Sequence, residues 1–208
     1  MGYAEAIRTI LWELPSNALF RAAYFVPTVI SWVVISITWR AMYNPTIGII
    51  AYLGDIFGFK PFAILTSGKR ALAGIMVVGI WHGIGFYMVI FLAALQAIDV
   101  SLYEAAVIDG ATPFKKFWYI TIPLLRPTLF FALVMSTMAG MQVFPQVYVM
   151  TRGGPAEATM VAVYYIYRKA FFMQEMGYGS ALAIFLFFMI LILTLIYRRF
   201  FRTERYYS

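Results

Sequence analysis

Four long runs of the sequence contain almost no charged residue, and this feature most constrains what the chain can fold into. A helix that crosses the hydrocarbon core of a membrane needs about 20 mainly apolar residues. Each of the four runs approaches or exceeds that length. The sequence therefore predicts an all-α fold, a polytopic membrane helix bundle. The predicted spans are residues 22–39, 72–98, 128–150 and 181–197.

The composition favours a membrane protein over a water-soluble one. Of the 208 residues, 63% are hydrophobic and 12% are charged, whereas an ordinary soluble domain has about 25% charged residues. The net charge of +7 is attributed to basic residues that flank spans and contact anionic headgroups, so no nucleic-acid partner is expected. Because the chain has no cysteine, a disulfide framework, a thiolate metal site and a cysteine nucleophile are excluded.

A cluster of arginines after the last run predicts the orientation of the bundle. Arg198, Arg199, Arg202 and Arg205 follow the fourth predicted span, and such clusters usually lie on the cytoplasmic side. With an even number of spans, both termini and the connection over residues 99–127 are then expected inside. No repeat or soluble linker interrupts the pattern, so residues 1–208 are predicted to form a single transmembrane domain.

The connection between the second and third spans is too polar to cross a membrane and carries regular helix signals. Its main part reads EAAVIDGATPFKKFWYITIPLLRP, over residues 104–127. Ser101 and Glu104 fit a capping box, in which the two side chains satisfy amides at the start of a helix. Gly110 then permits a backbone turn that a side chain would oppose. The pattern therefore predicts a short helix that ends in a glycine elbow.

A second short helix is predicted after the elbow. Thr112 and Pro113 are typical of an N-cap and of a first helical position, and Pro123 is expected to end the helix. The residues alone leave two roles open for this helix-elbow-helix connection. Either a partner protein binds it in a groove, or it rests as an amphipathic hairpin on the lipid headgroups.

The connection resembles the cytoplasmic coupling motif of permease subunits of binding-protein-dependent ABC importers. That motif runs Glu-Ala-Ala, three residues, Gly, nine residues, Ile, one residue, Leu-Pro, and only its leucine differs here, replaced by Ile122. FRAAYFVPTVIS, residues 20–31, and YVMTRGGP, residues 148–155, resemble the carbohydrate branch of the family, the maltose- and glycerol-phosphate-type permeases. The residues that match the coupling motif are Glu104, Ala105, Ala106, Gly110, Ile120 and Pro123.

This resemblance implies a transport subunit and not an enzyme. The chain would form part of the pathway for a sugar or related solute in the plasma (inner) membrane of a prokaryote. The implied partners are a cytoplasmic ATP-binding subunit, a second permease subunit and an extracytoplasmic solute-binding protein. ATP would be bound by the separate subunit, and no cofactor or metal is expected in this chain. Because the family normally has spans before the segment that opens this chain, the family's first two spans are expected to be absent.

Polar and aromatic residues within the predicted spans are candidates for a substrate pathway. Polar groups in a membrane are costly unless they face a cavity or a partner, and a sugar needs both hydrogen-bonding groups and an aromatic surface. Pro145 is expected to open the third span beside these residues. The candidates are His82, Gln142, Phe144, Gln146 and Tyr148.

Hydrogen bonds between helices are the alternative role for His82 and for the two glutamines. Gly79 and Gly83 surround His82 with a small-xxx-small pair, which predicts a close approach of another helix at this point. An intramembrane hydrolase would need a dyad of His82 with a serine such as Ser136, and no nucleophile motif supports it. A truncated or regulatory membrane subunit without transport activity also stays open.

The connection after the third span contains turn chemistry. Gly153, Gly154 and Pro155 predict a tight turn on the outer side. The resemblance implies that this region lies near the docking face for the binding protein. A short helix with several aromatic residues is predicted to follow, at the level of the headgroups.

Overall fold

The structure is a computed structural model that describes residues 15–58 and 63–201, with side chains of the first helix described from residue 20 onward. Arg202 and Arg205 of the predicted C-terminal cluster lie outside the described residues. Within those ranges every regular element is a helix, and no strand occurs. The elements are α1 (Pro15–Val29), α2 (Trp32–Met42), α3 (Ile49–Ile56), α4 (Ala71–Gln96), α5 (Val100–Ile108), α6 (Pro113–Lys116), π1 (Phe117–Thr121), α7 (Ile122–Leu124), α8 (Arg126–Met141), α9 (Pro145–Met150), α10 (Ala162–Tyr167), π2 (Arg168–Phe172) and α11 (Met176–Phe200).

Three segments of the described chain are long and apolar enough to cross a membrane. They are Ala71–Gln96, Arg126–Met150 and Met176–Phe200. The count becomes four if α1 and α2, which are separated by two residues, together form one broken span. The all-α polytopic fold with three to four membrane helices is thus confirmed.

The predicted first span, residues 22–39, is not one uninterrupted helix. α1 contains Pro27 and ends at Val29, and α2 begins at Trp32. Ser31 is the N-cap of α2, where its side chain accepts a hydrogen bond from the backbone N–H of Val33 at 3.4 Å. A proline removes a helical hydrogen bond and a serine offers a new cap, so the two residues together favour a break in this run.

The chain divides into two compact units. Of the described residues, the first contains 15–29, 82–135 and 195–201, and the second contains 30–58, 63–81 and 136–194.

In the first unit, α1 and α4 approach closely at Gly85. A Cβ at Gly85 would collide with the backbone carbonyl of Tyr24 and would lie 2.9 Å from the Cα of Phe25. The predicted contact at the Gly79 and Gly83 pair is wrong for the described residues. A Cβ on Gly79 would meet nothing within 4 Å, and one on Gly83 would meet only Tyr87 of the same helix, at 3.5 Å.

The second unit holds a hydrophobic core to which α2, α4, α9 and α10 contribute. Two hydrogen bonds from α2 and its cap reach other helices of this unit. The Tyr43 hydroxyl donates to the carbonyl of Gly74 at 3.1 Å, and the Arg40 guanidinium donates to the carbonyl of Val149 at 3.2 Å. The buried core residues are Ile35, Tyr43, Ile75, Val78, Val147, Met150 and Tyr164.

Candidate functional site

The first helix of the predicted coupling connection, α5, is capped by Asp99. The Asp99 carboxylate accepts a hydrogen bond from the backbone N–H of Ser101 at 2.9 Å. This hydrogen bond holds the pKa of Asp99 below its ordinary value. The predicted capping box of Ser101 and Glu104 is wrong, because the N-cap is Asp99, two residues before Ser101, and Ser101 supplies the amide that the cap satisfies. An aspartate side chain caps the start of a helix in the same way as a serine side chain.

The predicted glycine elbow is present. Gly110 has φ of +71°, in the left-handed region that a side chain opposes. The N–H of Ala111 donates to the carbonyl of Ala106 at 2.9 Å, so the last turn of α5 is closed as at many helix ends. The elbow does not depend on close packing at the glycine, since a Cβ on Gly110 would meet nothing within 4 Å.

The second arm begins as predicted and ends differently. Thr112 is the N-cap of α6, with its hydroxyl 3.4 Å from the N–H of Lys115, and Pro113 is the first helical residue. The sequence predicted that Pro123 would end the second helix, but the helix continues past this residue. The chain instead forms the π turn π1, in which the N–H of Ile122 donates a hydrogen bond to the carbonyl of Phe117. It then continues into α7. A π turn changes the hydrogen-bond spacing, so a helix can continue through a position where a proline would otherwise interrupt it. Such turns are frequent at functional sites.

A side-chain hydrogen bond joins the two arms of the connection. The hydroxyls of Tyr103 in α5 and Thr121 in π1 lie 2.8 Å apart, and Thr121 is buried. Sequence reasoning missed this pair, because residues 18 positions apart show no local pattern that predicts their contact. The bond links α5 to π1.

The residues that match the coupling motif are accessible on this hairpin. Glu104, Ala105 and Gly110 are exposed, and Ala106 is half-buried. Ile108, beside the elbow, is 86% exposed. An accessible helix with small side chains and apolar neighbours has the character of a partner-binding surface.

The candidate pathway residues of the second unit surround the break between α8 and α9. α8 ends at Met141, and α9 restarts with Pro145 at its first position, so the predicted opening of the helix at this proline is confirmed. Phe144 and Tyr148 are stacked, with ring centroids 5.5 Å apart and an interplanar angle of 24°. Tyr167 contacts both rings edge-on, at 5.1 Å and 5.6 Å.

The two glutamines differ in their environments. Gln146 is only 6% exposed, and its Oε1 has no hydrogen-bond partner among the described residues. Gln142, before the break, is exposed. A buried amide oxygen without a partner costs about 1–3 kcal/mol, so Gln146 is suited to accept a hydrogen bond from a ligand or from another subunit. His82 is half-buried in α4 and belongs to the first unit.

The predicted turn at residues 153–155 is present and tightly fixed. The buried Thr159 hydroxyl donates to the carbonyl of Gly154 at 2.8 Å and lies 2.7 Å from the hydroxyl of Thr151. Gly153 has φ of +82° and is buried, and a Cβ there would lie 2.9 Å from the ring of Tyr164.

The turn presents other residues to its surroundings. Arg152, Ala156 and Glu157 are exposed and have φ between 46° and 60°. Glu157 also pairs with Arg168 at 2.8 Å, which ties the turn to π2. Side chains in the left-handed region are uncommon, and several of them together often mark a functional segment.

No cluster of three or more His, Cys, Asp or Glu side chains suited to a metal ion occurs in the described part of the chain. The features found are instead those of a polytopic helical membrane protein with an accessible helix-elbow-helix hairpin between two of its spans. Its sequence matches, over residues 11–206, the family described as binding-protein-dependent transport system inner membrane component. The chain belongs to this family, which comprises transporter permease subunits and not enzymes.

Several curated proteins that are similar to this chain are permeases of transport systems. The trehalose/maltose transport system permease protein MalF of Thermococcus litoralis is 34% identical over 193 residues, which cover 93% of this chain and 65% of that protein. The sn-glycerol-3-phosphate transport system permease protein UgpA of Brucella suis is 35% identical over 206 residues, covering 96% and 70%. The chain thus spans about two thirds of the length of these relatives.

The fold also matches solved structures. A bacterial ABC transporter involved in the import of the acidic polysaccharide alginate aligns with a TM-score of 0.80 at 24% identity, covering 90% of this chain and 66% of that chain. A second structure, of a bacterial alginate ABC transporter in complex with an alginate pentasaccharide-bound periplasmic protein, also aligns with a TM-score of 0.80. These matches show the fold of an ABC transporter permease.

Proposed function

We propose that the chain is a permease subunit of an ATP-driven importer and forms part of the translocation pathway for a sugar or related solute. Its family and its curated relatives, which include permeases for trehalose/maltose and glycerol-phosphate, support this class of cargo. The observation that carries the proposal is the accessible hairpin, with its small-residue helix, its elbow at Gly110 and its internal bond between Tyr103 and Thr121.

In this proposal the hairpin binds a separate cytoplasmic subunit that holds ATP. Glu104, Ala105 and Ala106 contact that subunit, and Glu104 pairs with one of its basic residues. Because the two arms are joined by a hydrogen bond, movement of α5 is passed to π1 and to the start of α8. Both termini and this hairpin lie on the cytoplasmic side, and a second permease subunit completes the pathway.

The cargo contacts are proposed at the break between α8 and α9. Phe144 and Tyr148 offer a stacked aromatic surface, and Gln146 has an amide oxygen without a partner among the described residues. Gln142 and His82 are further pathway candidates. A solute-binding protein on the outer side contacts the turn at residues 153–155 through its exposed neighbours Arg152, Ala156 and Glu157, because Gly153 itself is buried.

The test uses two matched glycines. Gly110 and Gly58 have φ of +71° and +72°, and a Cβ on either would meet nothing within 4 Å. Alanine therefore imposes a similar local strain at both positions, while only Gly110 lies in the proposed coupling hairpin. In proteoliposomes with the ATPase, the second permease and the binding protein, we expect Gly110→Ala to lower cargo-stimulated ATP hydrolysis and uptake, and Gly58→Ala to leave both near the unmodified level. Equal activity of the two variants, at equal membrane levels, would overturn the role of the elbow.

A further inference from the structure

A cavity in the first unit lies where two candidate spans end. It has a volume of about 290 Å³ and is lined by Ile122, Arg126, Leu129, Phe200 and Phe201. Arg126 is the first residue of one candidate span, and Phe200 is the last residue of another. Because both residues line the same cavity, these two span ends lie on the same side of the membrane. The cavity is therefore at the boundary between the apolar core and the headgroups.

The lining combines a cation with an apolar wall. The Arg126 side chain is exposed, and no ion pair of Arg126 occurs within residues 15–58 and 63–201. The apolar wall includes Phe201, whose ring lies 6.1 Å from that of Phe130, and Phe200, which is 81% exposed. Arg198 and Arg199 occupy the last turn of the same helix as Phe200. The local charge is thus positive beside the apolar wall of the cavity.

We infer that this cavity binds an anionic phospholipid of the surrounding membrane. The headgroup phosphate contacts the Arg126 guanidinium, which matches phosphate geometry well. The first part of one acyl chain lies against Ile122, Leu129 and Phe201. A volume near 300 Å³ is at the lower limit of small-molecule sites, so it accommodates one segment of a lipid rather than a whole molecule.

Charge complementarity selects this occupant over other apolar ligands. Basic pockets between membrane helices bind anionic headgroups, and a zwitterionic lipid would bring its own cation close to Arg126. A site at the start of α8 would also place the lipid directly after α7 of the coupling hairpin. The inference does not depend on transport activity, because lipid binding is measured on the chain without its partners.

The test compares two lipids and two charge-removing variants of the full chain in detergent. Native mass spectrometry measures binding of dioleoylphosphatidylglycerol and dioleoylphosphatidylcholine to the unmodified chain, to Arg126→Gln and to Lys115→Gln. Lys115 is an exposed cation of the hairpin that does not line the cavity. We expect one saturable site with a preference for the anionic lipid of about fivefold or more, since one favourable basic contact is worth about that factor. Arg126→Gln should lose this preference, and Lys115→Gln should keep it.

Other results would overturn the inference. These are equal binding of the two lipids, retention of the preference in Arg126→Gln, or an equal loss in Lys115→Gln, which would indicate general surface attraction. Displacement of the lipid by millimolar inorganic phosphate would instead assign the site to a free anion. Thermal unfolding gives a second readout for folded variants: phosphatidylglycerol should raise the Tm of the unmodified chain and of Lys115→Gln, and should not raise that of Arg126→Gln.

Discussion

Replacing Gly85 by alanine tests the packing of the first unit most sharply. The new Cβ would collide with the backbone carbonyl of Tyr24 and lie 2.9 Å from the Cα of Phe25. Backbone atoms in a helix cannot move aside as a flexible side chain does, so overpacking of this kind costs about 1–3 kcal/mol. Gly79 lies on the same helix, α4, and a Cβ there would meet nothing within 4 Å. Gly79→Ala is therefore the matched control.

Both substitutions gain the same helix propensity, about 0.5–1 kcal/mol. The difference between the variants is then the cost of the collision alone. For a chain of this size, about 1–3 kcal/mol corresponds to roughly 2–12 °C in Tm. We expect Gly79→Ala to unfold at or slightly above the temperature of the unmodified chain and Gly85→Ala to unfold below it. The assay is thermal unfolding in detergent, followed by size-exclusion chromatography. If Gly85→Ala were as stable as Gly79→Ala, the close approach of α1 and α4 would be refuted.

Three further predictions follow from single contacts. Gln146→Leu removes a buried oxygen that has no partner among the described residues, so it should raise the Tm of the isolated chain and lower uptake. The control, Gln142→Leu, should leave the Tm unchanged. A fall in the Tm of Gln146→Leu would show that the amide has a partner. Tyr103→Phe and Thr121→Val should show a coupling of about 0.5–1.5 kcal/mol in a double-mutant cycle of urea unfolding, and additive effects would contradict the bond. The pKa of Asp99 is lowered from 3.8, so its cap should stabilise α5 above pH 3.8 and should be lost as the pH falls further and the carboxylate protonates. The measurement is the hydrogen-exchange protection factor of the α5 amides, corrected for the intrinsic pH dependence of exchange. A protection factor that is unchanged on acidification would disprove the cap.

The sequence predicted those features that rest on local chemistry. Long apolar runs predicted the membrane helices, and the left-handed preference of glycine predicted the elbow at Gly110. The opening of the third span at Pro145 and the turn at Gly153 followed from the same kind of rule. Each of these features depends on one residue and its immediate neighbours, so tertiary contacts did not alter it.

Features that depend on tertiary contact were predicted less well. The small-residue rule selected Gly79 and Gly83, but the close approach occurs at Gly85, because the pattern cannot indicate which side of a helix meets a neighbour. Pro123 was expected to end a helix, and a π turn instead carries the chain past it. The bond between Tyr103 and Thr121 left no sequence signal at all.

The proposed pathway residues show the same limit. The sequence placed Gln142 and Gln146 one helical turn apart, as equivalent candidates. The break at residues 142–144 separates them, so Gln146 is buried and Gln142 is exposed. Phe144 is the N-cap of α9 and Tyr148 lies within α9, so these two residues are on the same side of the break and their rings stack. Their role in binding a cargo stays a prediction.

The central claim is that the hairpin at residues 101–123 binds a nucleotide-hydrolysing subunit, and site-specific crosslinking tests it most directly. The chain contains no cysteine, so single cysteines can be introduced without a background. Ile108, beside the elbow, and Ile47, in the connection after α2, are 86% and 85% exposed, which makes them a matched pair. In native membranes, we predict that Ile108→Cys, labelled with a short thiol-reactive photocrosslinker that needs no cysteine in its partner, captures an ATPase subunit and that Ile47→Cys, labelled in the same way, does not. Failure of Ile108→Cys to capture any nucleotide hydrolase, or equal capture by Ile47→Cys, would contradict the account.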